Sequence, residues 1–124
     1  MFLNWSVFLY STRMKRNKIL VIDDEADFTM LMQNYFTSNG YEVYLAGNIK
    51  EGLRLLDEEH PDFIFLDNNL PDGLGWDNIH HIMSKYPKTQ LNLISAYHVP
   101  KTSTSSFRIL EKPLLLEDLM KLVQ

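Results

Sequence analysis

A chain of 124 residues with 45% hydrophobic and 23% charged side chains suits one globular domain with a real core, and its composition excludes disordered and fibrous classes. A net charge of -4 and a pI near 5.5 give no general attraction to nucleic acid, and Arg13, Lys15, Arg16 and Lys18 form only a weak basic cluster, so direct nucleic-acid binding is not expected. The lack of cysteine excludes disulfides and thiolate sites and fits a reducing cytoplasm.

The first thirteen residues, MFLNWSVFLYSTR, are apolar but broken by Asn4 and Ser6. No basic residue precedes them, as a secretory signal requires, and they are too short to span a bilayer, so no membrane association is expected. Met14 stands just before KRNKILVIDD, which makes it a candidate natural start, and residues 1–16 then read as an extension to a domain over 17–124. A segment docked on the domain surface and a weak membrane contact are the alternatives. No output domain is expected after Gln124.

From Ile19 onward, apolar runs of strand length alternate with stretches of helical period, the pattern of βαβ units around a parallel sheet. The expected strands are Ile19 to Asp23, Tyr41 to Ala46, Phe63 to Asp67, Leu91 to Ser95 and Phe107 to Leu110. Phe28, Leu31, Met32, Tyr35 and Phe36 form one helical stripe, and Ile49, Leu53 and Leu56 a second that Asn48 and Glu51 would cap. Ile79, Ile82, Met83 and Tyr86 mark a third helix, and Leu116, Leu119, Met120 and Val123 a last one. All four stripes read as core packing.

ILVI and FIFL are continuously apolar, as strands covered on both faces should be, whereas Glu42 and Arg108 interrupt the second and fifth strands and mark them as edges. A doubly wound sheet ordered 2-1-3-4-5 satisfies this, with its switch point between strands one and three. Asp23 and Asp24 end the first strand and Asp67 the third, so three carboxylates should crowd one crevice. Unit charges about 4 Å apart repel by roughly 4 kcal/mol at an effective dielectric of 20, so such a cluster raises a pKa or binds a cation. With oxygen donors only, the expected ion is Mg²⁺ first, Mn²⁺ second and Ca²⁺ after them. Ser95 and Lys112 lie at strand ends on the same rim. With the acids they supply a nucleophilic carboxylate, a metal site, a hydroxyl and a cation, the set needed to accept and hold a phosphoryl group. The Lys112–Pro113 bond is a plausible cis peptide.

Taken together, VIDDE, FLDNNLPDGLG, LISA and EKP resemble the receiver domains of two-component response regulators, in order and at matching strand ends, from about Lys18 to Val123. The resemblance implies a flavodoxin-like fold. It also implies that Asp67 is the phosphoacceptor, Asp24 a direct Mg²⁺ ligand, Asp23 a ligand through water and Asn69 a ligand through its backbone carbonyl. Ser95 matches the switch hydroxyl and Lys112 the lysine that pairs with the acceptor or its phosphate. Pro71 and Gly75 match the turn into the third helix. A histidine kinase or histidine phosphotransfer protein would be the donor, and a separate downstream protein the target. Asn69 and Tyr97 would flank the path of a hydrolytic water and tune the lifetime of the acyl phosphate.

Two departures from the family stand out. Sixteen residues separate Ser95 from Lys112, and only eleven, Ala96 to Ser106, remain for the crossover between the last two strands. That is near the lower limit for a parallel crossover, and Pro100 and the run KTSTSS disfavour a helix there, so the family's fourth helix is expected to be short or absent. The second departure is Ile109, which stands where the family carries a switch aromatic; Phe107, two residues earlier on the same face, could serve only with a shifted register. Asn92, inside the fourth strand, needs a buried hydrogen-bond partner. His80 and His81 are adjacent on a helix and point apart, so they make a poor metal pair, and His98 has no assigned task.

The leading expectation is a stand-alone phosphorylation switch that is not an enzyme beyond its own phosphorylation and dephosphorylation. An interaction module with an impaired switch is a second reading. A Mg²⁺-dependent aspartyl-phosphate phosphatase of the haloacid dehalogenase type is a third, disfavoured because that type expects an acid where Asn69 stands. An FMN site is disfavoured because DDEAD would repel the phosphate.

Overall fold

The computed structural model describes residues 16–96 and 107–124. Strands β1 (Lys18–Ile22), β2 (Glu42–Ala46) and β3 (Phe63–Asp67) are followed by a two-stranded ribbon, β4 (Asn69–Leu70) with β5 (Gly73–Leu74). Strands β6 (Gln90–Ser95) and β7 (Phe107–Glu111) complete the main sheet. Four α-helices stand among the described residues: α1 (Ala26–Ser38), α2 (Ile49–Glu59), α3 (Ile79–Lys85) and α4 (Leu116–Val123).

The five long strands are all parallel and lie in the order β2-β1-β3-β6-β7. Counting long strands alone, this is the 2-1-3-4-5 order that the charges of Glu42 and Arg108 indicate, with β2 and β7 at the edges. Each strand begins or ends within one residue of its expected bounds. The expected shortening of the crossover between the last two long strands falls on residues 97–106, outside the described residues, as do Tyr97, His98 and the leader through residue 15.

Alternation along the strands separates two cores. Ile19, Val21, Phe63, Phe65 and Ile94 pack with Met32 and Phe36 of α1 and with Leu119, Met120 and Val123 of α4. Leu20, Ile22, Ile64, Leu66, Leu91 and Leu93 face the other way, against Leu56 of α2 and Ile79 and Ile82 of α3. Each fully buried side chain of this kind contributes roughly 1.5–3 kcal/mol. On the first face, Phe36 stacks on Phe65 at 6.0 Å and meets Tyr41 edge-on at 5.8 Å. The Tyr41 hydroxyl then donates to the Val123 carbonyl at 3.0 Å, tying the last helix to the start of β2.

Helix ends follow local chemistry. Asn48 Oδ1 accepts from the Glu51 amide at 2.8 Å, the cap its position implies. At the other end of α2, His60 takes a left-handed conformation (φ 48°) and Pro61 forbids continuation. One helical position departs from expectation. Leu31 is 54% exposed, because Phe28, Met32, Tyr35 and Phe36 centre the buried face of α1 and Leu31 lies about 85° around the helix from that centre.

Candidate functional site

Parallel register carries the acidic strand ends to one rim. Ile22 pairs with Leu66 and Asp67 with Ile94, so Asp23, Asp67 and Ser95 emerge on neighbouring strands at the carboxyl edge, beside the point where chain order reverses. Asp23 and Asp67 are buried and Asp24 is exposed. One oxygen from each can be chosen so that all three lie within 4.8 Å of one another.

Lys112 reaches this cluster from the end of β7. Its amide donates to the Ser95 carbonyl at 2.9 Å, and its Nζ lies 3.5 Å from Asp67 Oδ1, 3.8 Å from Asp23 Oδ2 and 3.3 Å from Glu25 Oε1. The Lys112–Pro113 peptide is cis. The Phe28 ring faces the ammonium, with its centroid 5.8 Å away.

Burial, reinforced by the Asp23 charge, pushes the Asp67 carboxyl up to about 6, with Lys112 acting in the opposite sense. Burial likewise raises Asp23, against the Glu25 amide and the Lys112 charge. Desolvation works against the Lys112 ammonium, yet Asp67, Asp23 and Glu25 together hold it above the ordinary lysine value. One lysine therefore leaves the three strand-end acids with excess negative charge. Asp23 Oδ2 is also buried without a hydrogen-bond partner. An orphaned carboxylate oxygen within an all-oxygen cluster fits a hard divalent cation.

The loop after Asp67 is pinned on several sides. The Asn68 amide donates to the Ile94 carbonyl at 2.8 Å, the Gly75 amide to the Asn68 carbonyl at 2.8 Å, and the Trp76 amide to Asn68 Oδ1 at 2.9 Å. These bonds close the β4–β5 ribbon, in which exposed Asn69 pairs with Leu74. Sequence reading missed Asn68, although an asparagine just after a strand and ahead of a Pro-Asp-Gly turn is the available signal.

The structure thus gathers Asp23, Asp24, Asp67, Ser95 and Lys112 at one rim, with Asn69 on the adjoining ribbon. Ser95 is fully buried one position beyond the Asp67–Ile94 rung. Ile109 pairs with Leu93, and Phe107 pairs with Leu91 and meets Trp76 edge-on at 6.1 Å. His80 and His81 are both exposed on α3.

A doubly wound five-stranded sheet with three carboxylates and a lysine converging at its switch point defines an α/β domain of flavodoxin-like fold built around an acidic rim. Residues 19–124 match the response regulator receiver domain, and the chain belongs to that family, the receiver domains of two-component response regulators. It is 34% identical over 115 residues to the response regulator protein PilR of Pseudomonas aeruginosa, covering 89% of this chain and 26% of that protein. It is 28% identical over 113 residues to the regulatory protein AtoC of Escherichia coli, covering 87% and 24%. The chain thus spans about a quarter of the length of these relatives. Among solved structures, a Burkholderia pseudomallei response regulator with a phosphorylated aspartic acid, a calcium ion and citrate superposes with a TM-score of 0.77 at 26% identity, over 87% of this chain and 66% of that one. The Thermotoga maritima response regulator TrrA in complex with Mg²⁺-BeF gives 0.74 at 26% identity, over 86% and 96%. Among the described residues, no helix is long and apolar enough to cross a membrane.

Proposed function

We propose that this receiver accepts a phosphoryl group on Asp67 from a histidine kinase or histidine phosphotransfer protein and acts as a cytoplasmic phosphorylation switch on a downstream partner. The observation that carries this reading is the pairing of the Asp67 carboxylate with the Lys112 ammonium at 3.5 Å inside a cluster of three acids.

Asp67 is the nucleophile. Its carboxyl value of about 6 leaves it mostly ionised at neutral pH, and as the last residue of β3 it stands at the carboxyl edge of the sheet. One carboxylate oxygen attacks phosphorus in line; the P–N bond of the donor phosphohistidine breaks as the P–O bond forms, and the electron pair returns to the imidazole. Asp23, Asp24, Asp67 and the Asn69 carbonyl would hold Mg²⁺, or Mn²⁺ in its place, which would supply positive charge against the phosphoryl oxygens. Lys112 and the Ser95 hydroxyl then bind the new phosphoryl oxygens, and their movement reaches the surface through β6 and β7. Asn69 and Tyr97 tune hydrolysis of the acyl phosphate. The chain turns over no other substrate.

Ile109 favours a second reading, an interaction module whose phosphorylation is not transmitted, because the ring that would swing on strand β7 is replaced by an aliphatic side chain paired with Leu93. One experiment addresses both. Incubation with Mg²⁺ and acetyl phosphate should add a single phosphoryl mass that Asp67→Asn abolishes. Full labelling of that variant, or no labelling of the parent, defeats the acceptor assignment. Labelling without altered hydrogen exchange in β6 and β7 selects the second reading.

A further inference from the structure

Glu25 directly follows the acidic pair and occupies the N-cap position of α1, yet its side chain makes no capping bond. Its amide instead donates to Asp23 Oδ1 at 2.8 Å, which fixes its backbone to the acidic cluster. Its carboxylate turns away from the helix and meets Lys112 Nζ at 3.3 Å, the shortest of that lysine's three acid contacts. Lys112 is thereby drawn between two buried acids on one side and one exposed acid on the other.

The three partners differ in what they can release. Asp23 and Asp67 are buried and hold Lys112 where water screens poorly, whereas the Glu25 side chain is 65% exposed and exchanges the ammonium for water at small cost. The backbone end of Lys112 is fixed through the Ser95 carbonyl, and Phe28 faces the ammonium. The side chain of the lysine can therefore redirect its charge without moving its backbone. A doubly charged group arriving on Asp67 must therefore draw the ammonium away from Glu25.

We infer that Glu25 is a positioning residue that holds Lys112 in the resting protein and competes for it with the phosphoryl group, so that it sets how readily the phosphorylated arrangement forms. The inference rests on the reading of Asp67 as acceptor. An exposed ion pair of this kind is worth at most about fivefold in an equilibrium constant, which bounds the effect.

The test is calorimetric titration of the full chain with beryllofluoride in saturating Mg²⁺. Glu25→Gln should bind about three- to fivefold more tightly than the parent, and Glu25→Asp, which keeps the charge but is one methylene shorter, should lie between them. Repeating the Glu25→Gln change in a Lys112→Met background should reduce the gain to less than twofold. Equal or weaker binding by Glu25→Gln overturns the inference, as does an undiminished gain without Lys112, which would mean simple repulsion by the Glu25 charge. If the parent chain binds no beryllofluoride at all, the acceptor reading falls first and the inference with it.

Discussion

Asp72 Oδ1 accepts a 2.8 Å hydrogen bond from the Ile49 amide, while its second oxygen accepts from Lys50 at 3.0 Å. The turn of the ribbon that follows Asp67 is thereby tied to the amino end of α2, and Asn48 caps the same end from within its own segment. These amide bonds hold the Asp72 carboxyl below its ordinary value. A lowered carboxyl contributes stability that is full above the unfolded value near 4 and is lost as pH falls through the folded one.

Asp72→Ala should therefore loosen the ribbon that carries Asn69. Its expected effect is a weaker Mg²⁺ affinity, by about threefold, with Asp72→Asn retaining part of the tie. Calorimetric Mg²⁺ titration checks this; unchanged affinity in Asp72→Ala would show that the tie does not position the ribbon.

Opposite behaviour is expected at Asp67. Its carboxyl is raised to about 6 in the fold, so the folded state binds more protons than the unfolded chain between roughly pH 4 and 6. Stability from this group is full below the unfolded value and is lost as pH rises through 6. With EDTA present, the melting temperature should fall by about 3–8 °C between pH 5 and 7.5, and Asp67→Asn should flatten that slope. Added Mg²⁺ should raise the melting temperature more at pH 7.5 than at pH 5. A metal-free slope that is unchanged in Asp67→Asn would refute the assignment.

Gly75 lies against the acceptor's own backbone. A Cβ there would stand 2.6 Å from the Asp67 carbonyl oxygen and 3.0 Å from Leu66 Cγ, and the Gly75–Asn68 bond leaves no room for retreat. Gly75→Ala should cost about 2 kcal/mol in urea unfolding and weaken Mg²⁺ binding. At Gly52 an added Cβ would overlap the buried Ile22 side chain, a rotatable group where Gly75 faces fixed backbone, and the better helix propensity of alanine offsets about 1 kcal/mol, so Gly52→Ala should be the milder change. A Gly75→Ala protein as stable as the parent would count against this account.

Asn92 offers a stabilising change. Its Nδ2 donates to the Ile64 carbonyl at 3.2 Å, but Oδ1 is buried without a partner. Leucine has nearly the same shape and no acceptor to strand, so Asn92→Leu should raise stability by about 1 kcal/mol. A lower urea midpoint would show that the amide's one hydrogen bond outweighs its orphaned oxygen.

Much of this architecture was legible because it rests on periodicity and strand ends. Continuous apolar runs marked the central strands, Glu42 and Arg108 marked the edges, and parallel register then fixed which acids share a rim. Asn92 was legible as needing a partner, though not that only one half of its amide would find one. What escaped the sequence depends on contacts between segments. Nothing local distinguishes Asp72 as the cap of a helix that begins more than twenty residues before it, or Glu25 as a partner of Lys112 rather than of its own helix. Leu31 was misplaced because a stripe drawn from spacing alone has no sharp margin.

Trp76 gives the site an optical consequence. It is one of two tryptophans in the chain, the other being Trp5 in the leader. Its amide hangs from Asn68, the residue after Asp67, and its ring rests edge-on against Phe107 of the outer strand. The indole thus rests against β7 while its backbone is tied to the loop that leaves the acidic rim, and 36% of the residue is open to water. In a Trp5→Phe background its emission should respond when the rim is loaded, making the domain its own fluorescent gauge without an attached dye.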